Sequence, residues 1–140
     1  MAGMPDEATP SRADAVAWVE AYGRTWESWD FDAFVDLFSD DVVYVAHATE
    51  GTVVGRAALA DYIRKEADDQ GQASVRMGIP VVDGDRVAAE FWVTRANRGE
   101  KWTTAGSVIA RLGPDGRCSA FREYWFDVEG HTQAYEGWGE

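Results

Sequence analysis

The sequence predicts a single α+β domain in which three helices pack on a curved, mainly antiparallel sheet. Apolar residues recur at helical spacing through much of the first half of the chain, between residues 12 and 71. In the second half, residues 73–127 form alternating apolar segments separated by glycine-containing turns. The 140 residues suit one domain and include neither a linker nor an internal repeat. Because the predicted order is helix, helix, strand, helix and then four strands, the helices should lie on one side of the sheet.

Three helices are predicted from their caps and their apolar spacing. The first spans residues 12–27 and is preceded by Ser11, whose hydroxyl can accept a hydrogen bond from the first turn. Asp30 is predicted to cap a short second helix that ends at Ser39. The third helix begins after a glycine and covers residues 56–71. Each of the three has an apolar stripe that can face a core.

Five strands are predicted from β-branched runs and alternation. They cover residues 42–45, 73–82, 86–96, 101–112 and 117–127. The last four are separated by short turns, which predicts an antiparallel meander. Residues 48–54 are compatible with either a loop or a short strand.

The two ends of the chain are predicted to be tails. Residues 1–10 have no periodicity and are expected to be disordered. The C-terminal tail, residues 128–140, is rich in glycine but also contains Tyr135 and Trp138. These rings predict that the tail folds back over the mouth of a pocket or onto a partner subunit.

Composition and charge argue against several classes of protein. The formal net charge of -12 disfavours nucleic acid as a partner. No apolar run is long enough to cross a membrane and no secretory signal is visible, so a cytoplasmic protein is expected. Cys118 is the only cysteine, and His47 and His131 are far apart in the sequence. Without metal-ligand spacing or a glycine-rich phosphate loop, we expect no metal and no cofactor.

Side-chain alternation predicts an internal cavity beneath the helices. One face of the last strand carries Ser119, Phe121, Glu123, Trp125 and Asp127, and the opposite face carries Cys118. Small residues on the neighbouring strands, namely Ala89, Gly106 and Ala110, could leave space at the centre of that face. A sheet face with small residues at its centre and rings at its edges is suited to a small apolar ligand.

The opposite face of the sheet is also partly apolar. It carries Trp92, Ile109, Tyr124 and Phe126 among polar residues. A monomer would expose these rings to water, so a homodimer through this outer face is expected, although scattered surface rings are also tolerated.

Several motifs in order resemble the NTF2-like superfamily, in particular its SnoaL-like branch. They are FSDD leading into VVYVAH, GRAAL, DGDRVAAEFWV and PDGRCSAFREYW. The resemblance covers residues 12–127 and implies a cone-shaped α+β barrel. The superfamily includes ketosteroid isomerase, limonene-epoxide hydrolase, scytalone dehydratase and the SnoaL polyketide cyclase, so the fold alone does not assign a reaction.

Position by position, the resemblance implies that the known catalytic pairs are incomplete. The two catalytic aspartates of ketosteroid isomerase fall at Ala46 and Val108, and only its tyrosine is kept, as Tyr22. The acid/base aspartate of the SnoaL cyclase falls at Glu123, while its histidine falls at Val108. The catalytic pairs of scytalone dehydratase are likewise missing from this sequence.

The catalytic residues of limonene-epoxide hydrolase are also only partly matched in this sequence. Its tyrosine and asparagine match Tyr44 and Ala46, and its arginine and one aspartate fall at Phe91 and Val93. Its remaining aspartate, which helps to activate water, matches Glu123. Glu123 is therefore the carboxylate that the resemblance retains at a recurrent catalytic position.

Glu123, Tyr44 and Tyr22 are the candidate catalytic residues. Neighbouring rings should desolvate Glu123 and raise its pKa above the ordinary range of a glutamate, as a general acid requires. The alternative is a structural glutamate satisfied by hydrogen bonds. Tyr44 and Tyr22 are expected to orient a ligand or to serve as core aromatics, whereas His47 should point to the outer face. The candidate ligand-binding residues are Trp18, Trp26, Ala46, Phe91, Val93, Trp102, Val108, Phe121 and Trp125.

Two classes of function fit these residues. The first is a cofactor-free isomerase, cyclase, dehydratase or epoxide hydrolase that acts on a small apolar metabolite through Glu123. The second is a non-catalytic protein that binds a ligand in the same pocket or uses its sheet to bind another protein.

Overall fold

The computed structural model describes residues 9–140, apart from the side chains at positions 68 and 69. Three helices and seven strands follow in the order α1 (Arg12–Ser28), α2 (Phe31–Val35), β1 (Phe38–Val45), β2 (Val53–Val54), α3 (Arg56–Gln70), β3 (Gln72–Met77), β4 (Val81–Asp83), β5 (Arg86–Asn97), β6 (Glu100–Leu112) and β7 (Cys118–Glu129). The predicted α+β class is confirmed. The predicted N-terminal tail falls, up to residue 8, outside the described residues. No helix within 9–140 has the length and apolarity to cross a lipid bilayer.

The first two helices begin where their caps predict. The Ser11 side chain accepts a hydrogen bond from Asp14 N at 3.1 Å, and Asp14 accepts one from Ser11 N at 3.0 Å. Asp30 accepts a hydrogen bond from Ala33 N at 3.2 Å. The prediction that α2 continues to Phe38 is wrong, because Phe38 already begins β1, where it pairs with Cys118 of β7.

The strands form one sheet in the order β2-β1-β7-β6-β5-β3, with β4 also paired to β5. Neighbouring strands are antiparallel except β1 and β7, which are parallel. The single strand predicted over residues 73–82 is divided into β3 and β4. Met77 pairs with Phe91 and Val81 with Ala88, so one residue bulges out between them. Pro80 lacks an N–H and favours such a break.

A second bulge, at the start of β7, places Cys118 on the opposite face of the sheet from the one predicted. Arg111 pairs with Ala120 and Leu112 with Cys118, which leaves Ser119 as an extra residue. Cys118 therefore turns into the core and is fully buried, whereas it was expected on the outer face. Phe121, Glu123, Trp125 and Asp127 keep the alternation that the sequence predicts, because they lie beyond the bulge.

An aromatic cluster holds the helices against the inner face of the sheet. The Phe121 ring lies 4.6 Å from the Tyr44 ring and 5.6 Å from the Tyr22 ring. Phe38 and Trp18 complete the surroundings of Phe121 at 5.5 and 6.3 Å. Burial of these rings stabilises the packing of α1 against strands β1 and β7.

The C-terminal tail packs on the outer face of the sheet rather than over a pocket mouth. Trp138 is buried against Trp92, with ring centroids 6.0 Å apart, and the Arg76 guanidinium lies 4.8 Å from the Trp138 ring. Ile79 N donates to Gly139 O at 2.7 Å, and Trp92 donates through Nε1 to a tail carbonyl. The prediction that the tail covers the pocket is thus wrong, because the tail covers Trp92 instead.

Candidate functional site

A cavity of about 190 Å³ lies between the helices and the inner face of the sheet. Its walls come from α1, α2, α3, the end of β1 and strands β5 to β7. The lining residues are Tyr22, Trp26, Trp29, Phe34, Tyr44, Ala46, His47, Tyr62, Ile63, Glu66, Gln70, Phe91, Arg95, Thr104, Glu123, Trp125 and Asp127. Rings make up much of the wall, and charged or polar side chains lie among them, as in many small-molecule sites.

Seven of the residues predicted for the site line this cavity. They are Glu123, Tyr44, Tyr22, Trp26, Ala46, Phe91 and Trp125. Four others, Trp18, Val93, Val108 and Phe121, are buried in the packed core and do not line the cavity. Trp102 instead lines a second pocket together with Arg98 and with Arg95, which also lines the cavity.

The small residues on the inner face do not create the cavity. Ala89 and Ala110 are buried in the core and do not line it. Gly106 instead permits close approach of β7, because a Cβ atom there would lie 2.1 Å from Tyr124 O and 2.7 Å from Trp125 Cα. The space comes from the curvature of the sheet and from the helices that stand over it.

Glu123 is the carboxyl group in the deepest part of the site. It lies on β7 opposite Val108 of β6, and Tyr22 donates a hydrogen bond through its hydroxyl to Glu123 Oε2 at 3.3 Å. Its remaining exposure is to the cavity, while protein atoms closely surround the carboxyl group. Burial raises the pKa of Glu123 to about 8, the Tyr22 hydrogen bond opposes this, and the charge of Glu66 adds to it. At neutral pH the group is therefore mainly a neutral acid that can donate a proton.

The two candidate tyrosines, Tyr22 and Tyr44, are hydrogen-bond donors rather than bases. Burial, followed by the negative charge of Glu123, raises the pKa of Tyr22 well above its ordinary value. The same two causes raise the pKa of Tyr44. Tyr22 stacks on Trp18 with ring centroids 5.6 Å apart, and Tyr44 stacks on Phe121. Packing thus holds both phenol rings in place, and both remain protonated at any physiological pH.

His47 lies at the cavity, although strand alternation predicts that it points to the outer face. Because β1 ends at Val45, the period-two rule stops before His47. The His47 ring lies edge-on to the Trp125 ring at 4.9 Å, and Trp125 donates through Nε1 to Ala46 O at 2.9 Å. His47 also lies 3.9 Å from Glu50. The prediction for His47 is therefore wrong.

A charged cluster at the other end of the cavity was not predicted as part of the site. Arg95 donates through Nη2 to Asp127 Oδ2 at 3.2 Å, and Thr104 donates a short hydrogen bond to Asp127 Oδ1. Alternation from Glu123 to Asp127, and from Phe91 to Arg95, is the signal that places these groups on the cavity side. The sequence did not indicate this cluster, because arginine, threonine and aspartate are each common on protein surfaces.

Metal binding has no structural basis in the part of the chain that is described. No group of three His, Cys, Asp or Glu side chains in it could hold a metal ion. Cys118 is buried, and burial raises the pKa of its thiol to about 12. Its thiol is thus inert at neutral pH.

The fold is shared with several proteins of known structure. An epoxide hydrolase of the limonene-epoxide-hydrolase type from Mycobacterium tuberculosis is 21% identical, with a TM-score of 0.71 over 84% of this chain and 86% of that one. SalBIII, an epoxide hydrolase/cyclase-like enzyme of pyran ring formation in the polyether salinomycin, is 20% identical, with a TM-score of 0.73 over 83% and 93%. A proposed polyketide cyclase from Xanthomonas campestris pv. campestris is 23% identical, with a TM-score of 0.70 over 82% and 92%.

Sequence similarity identifies the family more directly. No curated protein matches the chain significantly. The SnoaL-like domain family matches residues 19–121, which is most of the chain and includes α3 and strands β1 to β6. The matched segment carries the three tyrosines that line the cavity, Tyr22, Tyr44 and Tyr62, and ends two residues before Glu123. This protein belongs to the SnoaL-like family, a branch of the NTF2-like superfamily.

Proposed function

We propose that this protein is a cofactor-free enzyme in which Glu123 acts as a general acid on a small, largely apolar molecule. The observation that carries the proposal is a carboxyl group with a pKa of about 8 on the wall of an aromatic cavity. A neutral acid in a desolvated site can protonate an oxygen atom at neutral pH, which an ordinary glutamate does poorly.

Opening of an epoxide is the reaction that this geometry and the structural neighbours favour. Glu123 would transfer its proton to the epoxide oxygen as a C–O bond breaks. Water, or a hydroxyl group of the substrate, would attack the carbon and form the new C–O bond. The proton lost by that nucleophile would return to the Glu123 carboxylate and restore the acid. Attack by water gives a diol, and attack by an internal hydroxyl gives a cyclic ether.

The tyrosines would serve this step by orientation. Tyr22 donates a hydrogen bond to one oxygen of Glu123, which directs the other oxygen towards the cavity. Tyr44 lies beside it and can donate to a substrate oxygen. His47, beside Trp125 and partly exposed, would contact the substrate away from the reacting atoms.

The test compares wild-type protein with Glu123→Gln on a panel of small alkyl and aryl epoxides. The variant keeps the shape of the side chain but has no proton to transfer, so we expect turnover to fall at least about 100-fold. Affinity for the same compounds, measured by quenching of tryptophan fluorescence, should change less than about tenfold. The control is Glu20→Gln, because Glu20 is exposed on α1. Turnover by Glu123→Gln equal to that of wild type would refute the proposal.

A second candidate is a protein that binds a ligand without converting it. It is favoured by Ala46 and Phe91, which line the cavity. In the resemblance to limonene-epoxide hydrolase, these two positions match an asparagine and an arginine of the catalytic site. Native mass spectrometry of the purified protein, followed by incubation of any retained molecule with fresh protein, distinguishes the two. Release of an altered molecule supports the enzyme, and recovery of the unchanged molecule supports the binding protein.

A further inference from the structure

The inner face of the sheet has polar groups at two separate places along β7. Glu123 pairs with Val108, Trp125 pairs with Gly106, and Asp127 pairs with Thr104. Four residues along a strand correspond to about 13 Å between Glu123 and Asp127. The Trp125 ring lies between them, and Phe91 of β5 occupies the same row. The cavity is therefore polar at both ends and aromatic in its middle.

The far end holds a guanidinium with spare donor capacity. Within the described part of the chain, the Arg95 side chain makes a single hydrogen bond, from Nη2 to Asp127. A guanidinium has five N–H donors, so most of them remain available to a ligand. Asp127 accepts from both Arg95 and Thr104, which fixes the direction of the Arg95 side chain.

Gln70 supplies an independent sign that this end is built for a ligand. It lines the same cavity at the end of α3, and the chain that follows it pairs with β5 beside Arg95, where Gln72 is opposite Ala96. Its Nε2 atom is buried and has no hydrogen-bond partner among the described residues. Such a donor costs free energy until an acceptor reaches it. Because the terminal torsion of glutamine is soft, the amide can turn to meet a ligand oxygen.

The charges indicate that this oxygen belongs to an uncharged group. The Arg95 charge is already balanced by Asp127, 3.2 Å away. Glu66 adds a further carboxyl group to the wall, and the whole chain has a net charge of -12. A carboxylate on the ligand would be repelled by this arrangement, whereas a carbonyl, ether or hydroxyl oxygen would not.

We propose that Gln70 and Arg95 form a second polar subsite, so that the ligand is elongated and carries an uncharged oxygen at each end of an apolar body. One oxygen lies at Glu123 and the other lies at Gln70 and Arg95, which Asp127 and Thr104 orient. This inference rests on the same cavity as the proposed function and narrows its substrate class. It concerns binding and requires no proton transfer.

The test measures binding of 1-octanol, 1,8-octanediol and 8-hydroxyoctanoate by tryptophan fluorescence and by ligand-observed NMR. The diol offers an acceptor to both ends, so it should bind about tenfold more tightly than 1-octanol. The hydroxy acid should bind more weakly than the diol. Equal binding of 1-octanol and the diol would overturn the subsite, and tighter binding of the hydroxy acid would overturn its preference for an uncharged group.

Gln70→Leu isolates the subsite. The variant removes a buried donor without a partner, so folding should not suffer, and the preference for the diol should shrink several-fold. Arg95→Met should also reduce the preference. The matched control is Gln133→Leu, because Gln133 is exposed in the tail. Glu123→Gln should keep the preference even if it abolishes turnover, so failure of the subsite and failure of the proposed catalysis are separable.

Discussion

Glu123 combines a hydrogen bond that lowers its pKa with burial that raises it, and burial is the larger effect. Tyr22 is the only direct partner recorded for the carboxyl group in the described residues, at a long 3.3 Å. One weak donor cannot replace the water that burial removes, so the neutral form is favoured. The site therefore holds an acid whose proton is easily lost only above neutral pH.

The raised pKa of Glu123 makes stability depend on pH. Its folded-state pKa of about 8 lies above the ordinary value of 4.5, so the folded protein holds the proton more tightly than the unfolded chain. The stabilising contribution is fully present below pH 4.5 and is lost as the pH rises towards 8. In Glu123→Gln this loss is absent. The stability of the variant relative to wild type should therefore rise by roughly 3–5 kcal/mol between mildly acidic and alkaline pH.

Urea denaturation of both proteins at several pH values measures this difference. The comparison cancels other titrating groups, because they are common to the two proteins. Glu20→Gln provides the control, since its exposed side chain should give a difference that is nearly constant with pH. A constant difference for Glu123→Gln as well would show that the carboxyl group is not desolvated.

Among the elements, the C-terminal tail is attached to the sheet by several hydrogen bonds and by one buried ring, that of Trp138. Trp138 is 4% exposed, whereas Tyr135 in the same segment is 64% exposed. Trp138→Ala should destabilise the fold by about 3 kcal/mol, because it leaves a cavity against Trp92 and removes the contact with Arg76. Urea denaturation measures the change, and hydrogen exchange should show faster exchange at Ile79 N, which bonds to the tail.

Tyr135→Ala is the control for that experiment, and it should alter stability by less than about 0.5 kcal/mol. If Trp138→Ala were as mild as Tyr135→Ala, the tail would contribute nothing to the outer face. Slow exchange at Ile79 N in Trp138→Ala would lead to the same conclusion.

Elements were predicted best where the signal is local. The caps of α1 and α2 depend on Ser11 and Asp30, whose partners lie three residues away. The end of α2 and the pairing of residues 78–80 depend on distant partners instead, although Pro80 is a local signal for a break there. Phe38 joins the strand that pairs with Cys118, and Ile79 bonds to Gly139 near the end of the chain. No local pattern contains such information.

For the whole molecule, we propose self-association through the part of the outer face that the tail leaves open. Tyr124, Phe126 and Val128 are exposed along β7, whereas Trp92 is partly covered. A row of exposed apolar side chains on one strand is a suitable centre for a symmetric interface. Because the tail covers Trp92, the surface that we propose for a homodimer is smaller than the outer face that the sequence predicts.

Phe126→Asp tests this proposal by placing a charge in the exposed row. If two copies pack here, the variant should dissociate to monomers at concentrations where wild type is dimeric, because a buried unpaired charge is costly. Sedimentation velocity measures the mass of each protein. Val81→Asp is the control, because Val81 is exposed on β4 away from this row. A wild-type monomer at high concentration would contradict the proposal.

The sequence by itself determined the α+β class, the helix starts, most strand positions and the inward direction of Glu123, Trp125 and Asp127. These features depend on periodicity and capping, which act over a few residues. Only the tertiary structure decided that His47 lines the cavity, that Val108 and Phe121 do not, and that Gln70 lines the same cavity as Arg95 and Asp127. Those outcomes depend on where strands end, on two bulges and on the curvature of the sheet. They arise from packing between residues far apart in the chain, which no local pattern encodes.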